Sequence, residues 1–234
     1  MPLKRSLFRN VLLALFVAIY CMGLFAYSNG RAALNTHQVL RAIANGLLIG
    51  QVYFWMQTTA HKRLQVAVGL LSAIFYLVAH QAILPYVWFW VFLLFQVLLT
   101  TQYERGFKWR QVPFLKNLLI PIMWFVQLNL IAGLLGNWHL LFLPFFLFYL
   151  ALSIQADIED IEADQGKIKT LAGLLGKDSA AYVVLFLLTL FSFFMGLPWV
   201  WIMLVLLVVR RELRLPKGSY DALLLALGVY FLLQ

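Results

Sequence analysis

The chain has 234 residues, 64% of them hydrophobic and only 12% charged, with a net charge of +9. Soluble domains sit near half apolar and a quarter charged, and so greasy a chain leaves too few polar side chains to cover a water-facing surface. The composition therefore implies an integral membrane protein. Its basic residues form short clusters between apolar runs, which argues against a nucleic-acid-binding patch, and the lone Cys21 excludes an internal disulfide.

Apolar runs broken by charge clusters or turn residues predict nine helices, near 11–27, 38–57, 64–79, 83–101, 114–134, 138–158, 180–196, 199–209 and 220–233. The first follows KRSLFRN, and its 17 apolar residues exceed the usual signal-peptide core of about 7 to 15. A retained first span is expected. The third, eighth and ninth runs are short for a hydrocarbon core that needs about 20 helical residues. Pro121 and Pro144 fall inside predicted spans, where a missing N–H and a ring clash favour a kink. With the N-terminus in the cytoplasm, 16 of the 18 basic residues fall on the inner side; Arg31 lies outside and Arg41 within the second span. That alternation fits the positive-inside rule. An all-α, polytopic bundle spanning 1–234 as one transmembrane domain is expected, multi-pass in the plasma (inner) membrane.

Polar Asn45, Gln51, Gln57, Gln127, Asn129 and Gln155 lie in or near spans, where such side chains face the bundle interior more often than lipid. Asn45 and Gln51 could line a cavity, though interhelical hydrogen bonding is the simpler role; Arg41 is expected to snorkel to the outer surface. His37, His61, His80 and His139 are scattered and form no metal-ligand pattern.

The stretch ADIEDIEADQGK, residues 156–167, holds five of the chain's nine acidic residues. On a helix turning about 100° per residue, Asp157, Asp160 and Asp164 fall within about 60° of one another, with Glu159 and Glu162 on roughly the opposite side. Short carboxylates in that arrangement suit a hard divalent cation, and with phosphate oxygens they are a usual Mg²⁺ environment. The same acids near a helix C-terminus oppose the macrodipole and repel one another. Either a bound cation offsets that, or this is a solvated helix end paired with Lys167 and Lys169.

The run DIEDIEADQGKIKTLAGLLG resembles the second aspartate-rich motif of the UbiA superfamily of membrane prenyltransferases, DxxDxxxD followed by a basic stretch, a Thr and a Leu/Gly-rich helix start. Asp157, Asp160 and Asp164 match the aspartates, and Lys169, Thr170, Leu171 and Gly176 match the tail. TTQYERGFKWRQVPFLKNLLIPIMW resembles the family's loop after the fourth helix, with Tyr103 and Lys108 where a Tyr and a Lys recur and PFLKN leading into the fifth helix. The resemblance implies a nine-helix fold, Mg²⁺ held by the aspartates, a prenyl diphosphate and a hydrophobic, lipid-like or aromatic acceptor as substrates, and diphosphate contacts from Lys62, Arg63, Tyr103, Lys108 and Lys169. General chemistry agrees that a departing diphosphate needs concentrated positive charge and an allylic cation needs a dry cavity.

One departure is plain. The family's first aspartate motif belongs after the second helix, and residues 1–103 contain neither Asp nor Glu. Either one Mg²⁺ on Asp157, Asp160 and Asp164 works with basic residues replacing the second ion, or the fold persists without the reaction, as a binder of an isoprenoid or quinone or as a partner subunit. A transporter is the weaker third class, since no paired discontinuous helices occur in matching halves.

Overall fold

In a computed structural model of the chain, the described residues are 2–28, 34–57, 62–81, 84, 87–104, 112, 114–127, 138–164, 170–197 and 219–233. All of their regular elements are helices and none is a strand. In chain order they are α1 (Pro2–Ser28), α2 (Thr36–Gln57), α3 (Lys62–Ala79), α4 (Val87–Glu104), α5 (Leu115–Phe125), α6 (Trp138–Asp164), α7 (Leu171–Leu175), α8 (Lys177–Phe194) and α9 (Ser219–Leu233). Within α1 and α8, Asn10–Tyr27 and Lys177–Phe194 are long and apolar enough to cross a membrane, with mean hydropathies of 2.1 and 1.5. Shorter apolar helical segments are Gly69–Ala79, Leu115–Phe125, Phe142–Ile158 and Leu223–Leu233.

Several boundaries depart from the hydropathy pattern. α1 extends back to Pro2 through the basic cluster, since helix formation does not require an apolar residue at every position. α6 continues past the apolar run to Asp164 and passes through Pro144 without interruption. α5 runs four residues beyond Pro121, then widens into a looser turn at Val126–Gln127. α7 has only five residues, too short for a hydrophobic period to reveal. The predicted helix at 199–209 lies outside the described residues.

Two compact units organise these elements. The first gathers α1, α2, α3, α9 and the start of α4, and its centre is the crossing of α1 and α2. On α1 the buried residues Leu13, Val17, Tyr20 and Leu24 recur at helical spacing, so one face packs inward while Val11 and Leu15 are exposed. Small residues let the two helices approach closely, so that van der Waals packing holds them. Gly46 and Gly50 on α2 meet Ala14 and Ala18 on α1; a methyl at Gly46 would collide with the Ala14 carbonyl oxygen. Gly23 and Gly228 bring α1 and α9 equally close, since a methyl on either would strike the other helix's backbone. α2 opens with a capping box: Asn35 Oδ1 accepts from Gln38 N at 2.9 Å and Gln38 Oε1 from Asn35 N at 3.0 Å.

The second unit is built around α6, which packs against α5, α7 and α8. Buried Phe145 and Phe148 meet Phe191 of α8 with ring centroids 5.8 and 4.8 Å apart, and Tyr149 reaches Trp124 of α5 at 6.1 Å. Offset rings at such distances add about 0.5–1.5 kcal/mol each beyond area burial.

The glycine contact yields a test. Gly46→Leu forces a side chain into the Ala14 backbone and is expected to lower thermal stability in detergent by about 3 kcal/mol or more. Leu47→Ala, at the exposed neighbouring position, should change it by less than about 1 kcal/mol.

Candidate functional site

The residues that tie the second unit's polar end together lie on α6, on α5 and at the start of α7. Asp157 sits in the second half of α6 with 1% of its surface exposed. An isolated carboxylate so placed would be prohibitive. Its partners come from the first turn of α5, about forty positions earlier in the chain. The Lys116 ammonium forms an ion pair with Asp157 Oδ1, and the Asn117 amide donates to Asp157 Oδ2 at 2.7 Å. Lys116 and Asn117 are themselves buried, at 8% and 3%. A cation in the first turn of a helix opposes the macrodipole, so Lys116 depends on Asp157 as much as the reverse.

Asn117 also serves α7. Its Oδ1 accepts from the Leu171 N–H at 3.2 Å. The orientation is forced, because a carboxylate only accepts and a backbone N–H only donates. Thr170 caps the same short helix, its Oγ1 accepting from Gly173 N at 3.0 Å, and Gly176 supplies the positive φ of 79° between α7 and α8. Thr170 and Gly176 thus have local backbone roles of their own. Phe114, which enters α5 just before Lys116, has φ 60°, a left-handed conformation that bulky side chains rarely adopt. Such strain persists only where surroundings over-determine it.

Because α6 is continuous to Asp164, Asp157, Asp160 and Asp164 share one helical face. The stripe continues one turn inward to Ser153, whose buried Oγ has no hydrogen-bond partner among the described residues. The side chains of Asp160 and Asp164 lie outside what is described, as do those of Lys62 and Arg63 in the first turn of α3 and Tyr103 in the last turn of α4. Lys108 and Lys169 lie outside the described residues altogether. The sequence pattern passed over Lys116 and Asn117 as site residues. PFLKN marks the start of a helix, but nothing in it tells which distant carboxylate Lys116 meets.

A second polar centre lies in the first unit. His80, in the turn after α3, is fully buried and stacks on Tyr76 with centroids 4.2 Å apart. Its Nδ1 donates to Tyr76 O at 2.8 Å, leaving Nε2 as the acceptor facing Asn45 Nδ2 at 3.5 Å. Asn45 also donates to Arg41 O at 2.9 Å, and Arg41 Nε donates to Ala79 O at 3.3 Å. Arg41 is therefore tied to the end of α3, a more specific contact than snorkelling requires. Asn45 bonds within its helix and across to His80, the interhelical role expected of it. Burial pushes the His80 pKa down from 6.5 to about 4; the nearby Arg41 charge acts the same way, and the Tyr76 hydrogen bond opposes both.

No family model matches the chain, and neither a curated protein nor a solved structure does.

Two measurements follow. Thr170→Val, which removes the cap acceptor, should cost about 1 kcal/mol in thermal unfolding, and Thr170→Ser should restore it. For His80, the unfolded chain binds the proton more tightly than the folded one. Stability is therefore full above pH 6.5 and should fall as pH drops toward about 4, by on the order of 1–3 kcal/mol. A pH series of melting temperatures checks this, and His80→Gln should flatten that part of the curve.

Proposed function

We propose that this chain is a multi-pass membrane protein of UbiA-like architecture that binds a prenyl diphosphate at the aspartate face of α6 and transfers its isoprenoid chain to a lipid-like or aromatic acceptor. The observation that carries the reading is that Asp157, Asp160 and Asp164 lie on one face of a single unbroken helix, with Asp157 turned inward rather than toward solvent or lipid. The Ser153 hydroxyl, without a hydrogen-bond partner among the described residues and one turn deeper on that stripe, extends the polar lining toward the apolar part of the unit. Membrane embedding beyond α1 and α8 is supported by apolar side chains turned outward: Leu70, Leu71, Ile74 and Val78 on α3, and Leu94 and Leu98 on α4. Runs of that kind fit acyl chains and are foreign to a water-facing surface.

Asp160 and Asp164 have the chemistry of Mg²⁺ ligands, whereas Asp157 already holds a cation in Lys116. Bound there, Mg²⁺ would supply charge to stabilise the departing diphosphate. This chain's own residues would do the rest. Lys108 and Lys169 are candidates to take phosphate oxygens, replacing the charge that the missing first aspartate motif would otherwise have recruited. Tyr103 would stand with them as a hydrogen-bond donor. The apolar walls would exclude water from the prenyl end.

A second reading retains the fold without the reaction, as an isoprenoid or quinone binder or a partner subunit. The absence of any carboxylate in residues 1–103 favours it. Titrating a non-hydrolysable prenyl diphosphate analogue against purified protein, with and without Mg²⁺, separates the two. The enzyme reading expects Mg²⁺-dependent binding that weakens at least about tenfold in Asp160→Ala, a loss of about 1.4 kcal/mol. Analogue binding indifferent to Mg²⁺ and to Asp160 would leave the second reading standing.

A further inference from the structure

We infer that the cation of Asp157 is the Lys116 ammonium and not a metal ion, so that Lys116 and Asn117 are positioning residues that lock the start of α5 and of α7 onto α6. The inference rests on the proposed diphosphate reading only where a divalent ion is concerned.

Three observations converge on it. Both oxygens of the Asp157 carboxylate are engaged, Oδ1 by Lys116 and Oδ2 by Asn117, and the Asp157 side chain is fully buried. Asn117 is committed at both ends of its amide, donating to Asp157 and accepting from Leu171 N, so it cannot turn away without abandoning one partner. The backbone entering α5 holds the left-handed conformation at Phe114, two residues before Lys116, which fixes where the ammonium is delivered. A hard divalent ion at Asp157 would need open oxygen ligands and water around it. The carboxylate instead has an ammonium, an amide and almost no accessible surface.

The consequence is a division of labour along one helical face. Asp157 anchors the helix ends, and the next carboxylates outward, Asp160 and Asp164, are left for a ligand's metal. The ammonium takes the role of one ion in a face whose three carboxylates would otherwise repel one another. It needs no second aspartate cluster elsewhere to hold it, in keeping with a chain that lacks any acid before Glu104.

The test is a double-mutant cycle on the full-length protein in detergent, read by melting temperature and by Mn²⁺ affinity. Lys116→Met alone strands a buried carboxylate and should lower the melting temperature by roughly 6 °C or more. Asp157→Asn in the same chain removes that charge and should recover most of the loss, while Lys116→Arg alone should stay near wild type. Mn²⁺ affinity of the double variant should stay within about twofold of wild type. A fall of tenfold or more would make Asp157 a metal ligand and overturn the inference. So would absence of rescue, including a double variant no more recoverable than Lys116→Met. If wild type binds no Mn²⁺ at all, the metal part of the proposed function fails, and the stability cycle still decides the Lys116 pairing on its own.

Discussion

A carboxylate removed from water must find a cation within its own chain or bind one, and in this protein Asp157 finds Lys116. Much of the second unit's polar end follows from that requirement. To reach the carboxylate, α5 must begin where its first turn faces α6. To satisfy the other oxygen, Asn117 must sit beside Lys116, and its remaining carbonyl then captures the first N–H of α7. One buried charge thereby organises three helices, and removing either partner leaves the other exposed to the low dielectric it was paired to survive.

In the first unit α1, α2 and α3 face a different problem, since residues 1–103 supply no acid to neutralise a cation. Arg41 leans on a backbone carbonyl at the end of α3, and burial holds His80 neutral against the opposing pull of its hydrogen bond to Tyr76 O, with Asn45 facing the other ring nitrogen. Its helices are held mainly by close approach, with Gly46 and Gly50 admitting the backbone of α1 and Gly23 and Gly228 doing the same for α9.

α6 joins the two kinds of chemistry along its own length. Its first half carries Phe145, Phe148 and Tyr149 into an aromatic contact with α5 and α8, while its second half carries the aspartate stripe. That aromatic packing surface fixes the rotation of the helix, and the rotation turns Asp157 inward. Ser153 lies at the junction, buried and without a hydrogen-bond partner among the described residues.

The all-helical character was legible in the sequence because long apolar runs in a membrane have few other ways to satisfy their backbone. So was the shared face of Asp157, Asp160 and Asp164, because helical spacing fixes angular position regardless of context. Thr170 and Gly176 stood out by resemblance, yet their local tasks, a cap and a positive φ, emerged only with the helix ends in place. α7 escaped notice because five residues carry no period, and the N-x-x-Q cap of α2 had no apolar boundary to announce it. The partner of Asp157 was beyond any local reading. Lys116 and Asp157 lie on different helices forty-one residues apart, and only the tertiary packing of α5 against α6 decides which cation a buried carboxylate meets.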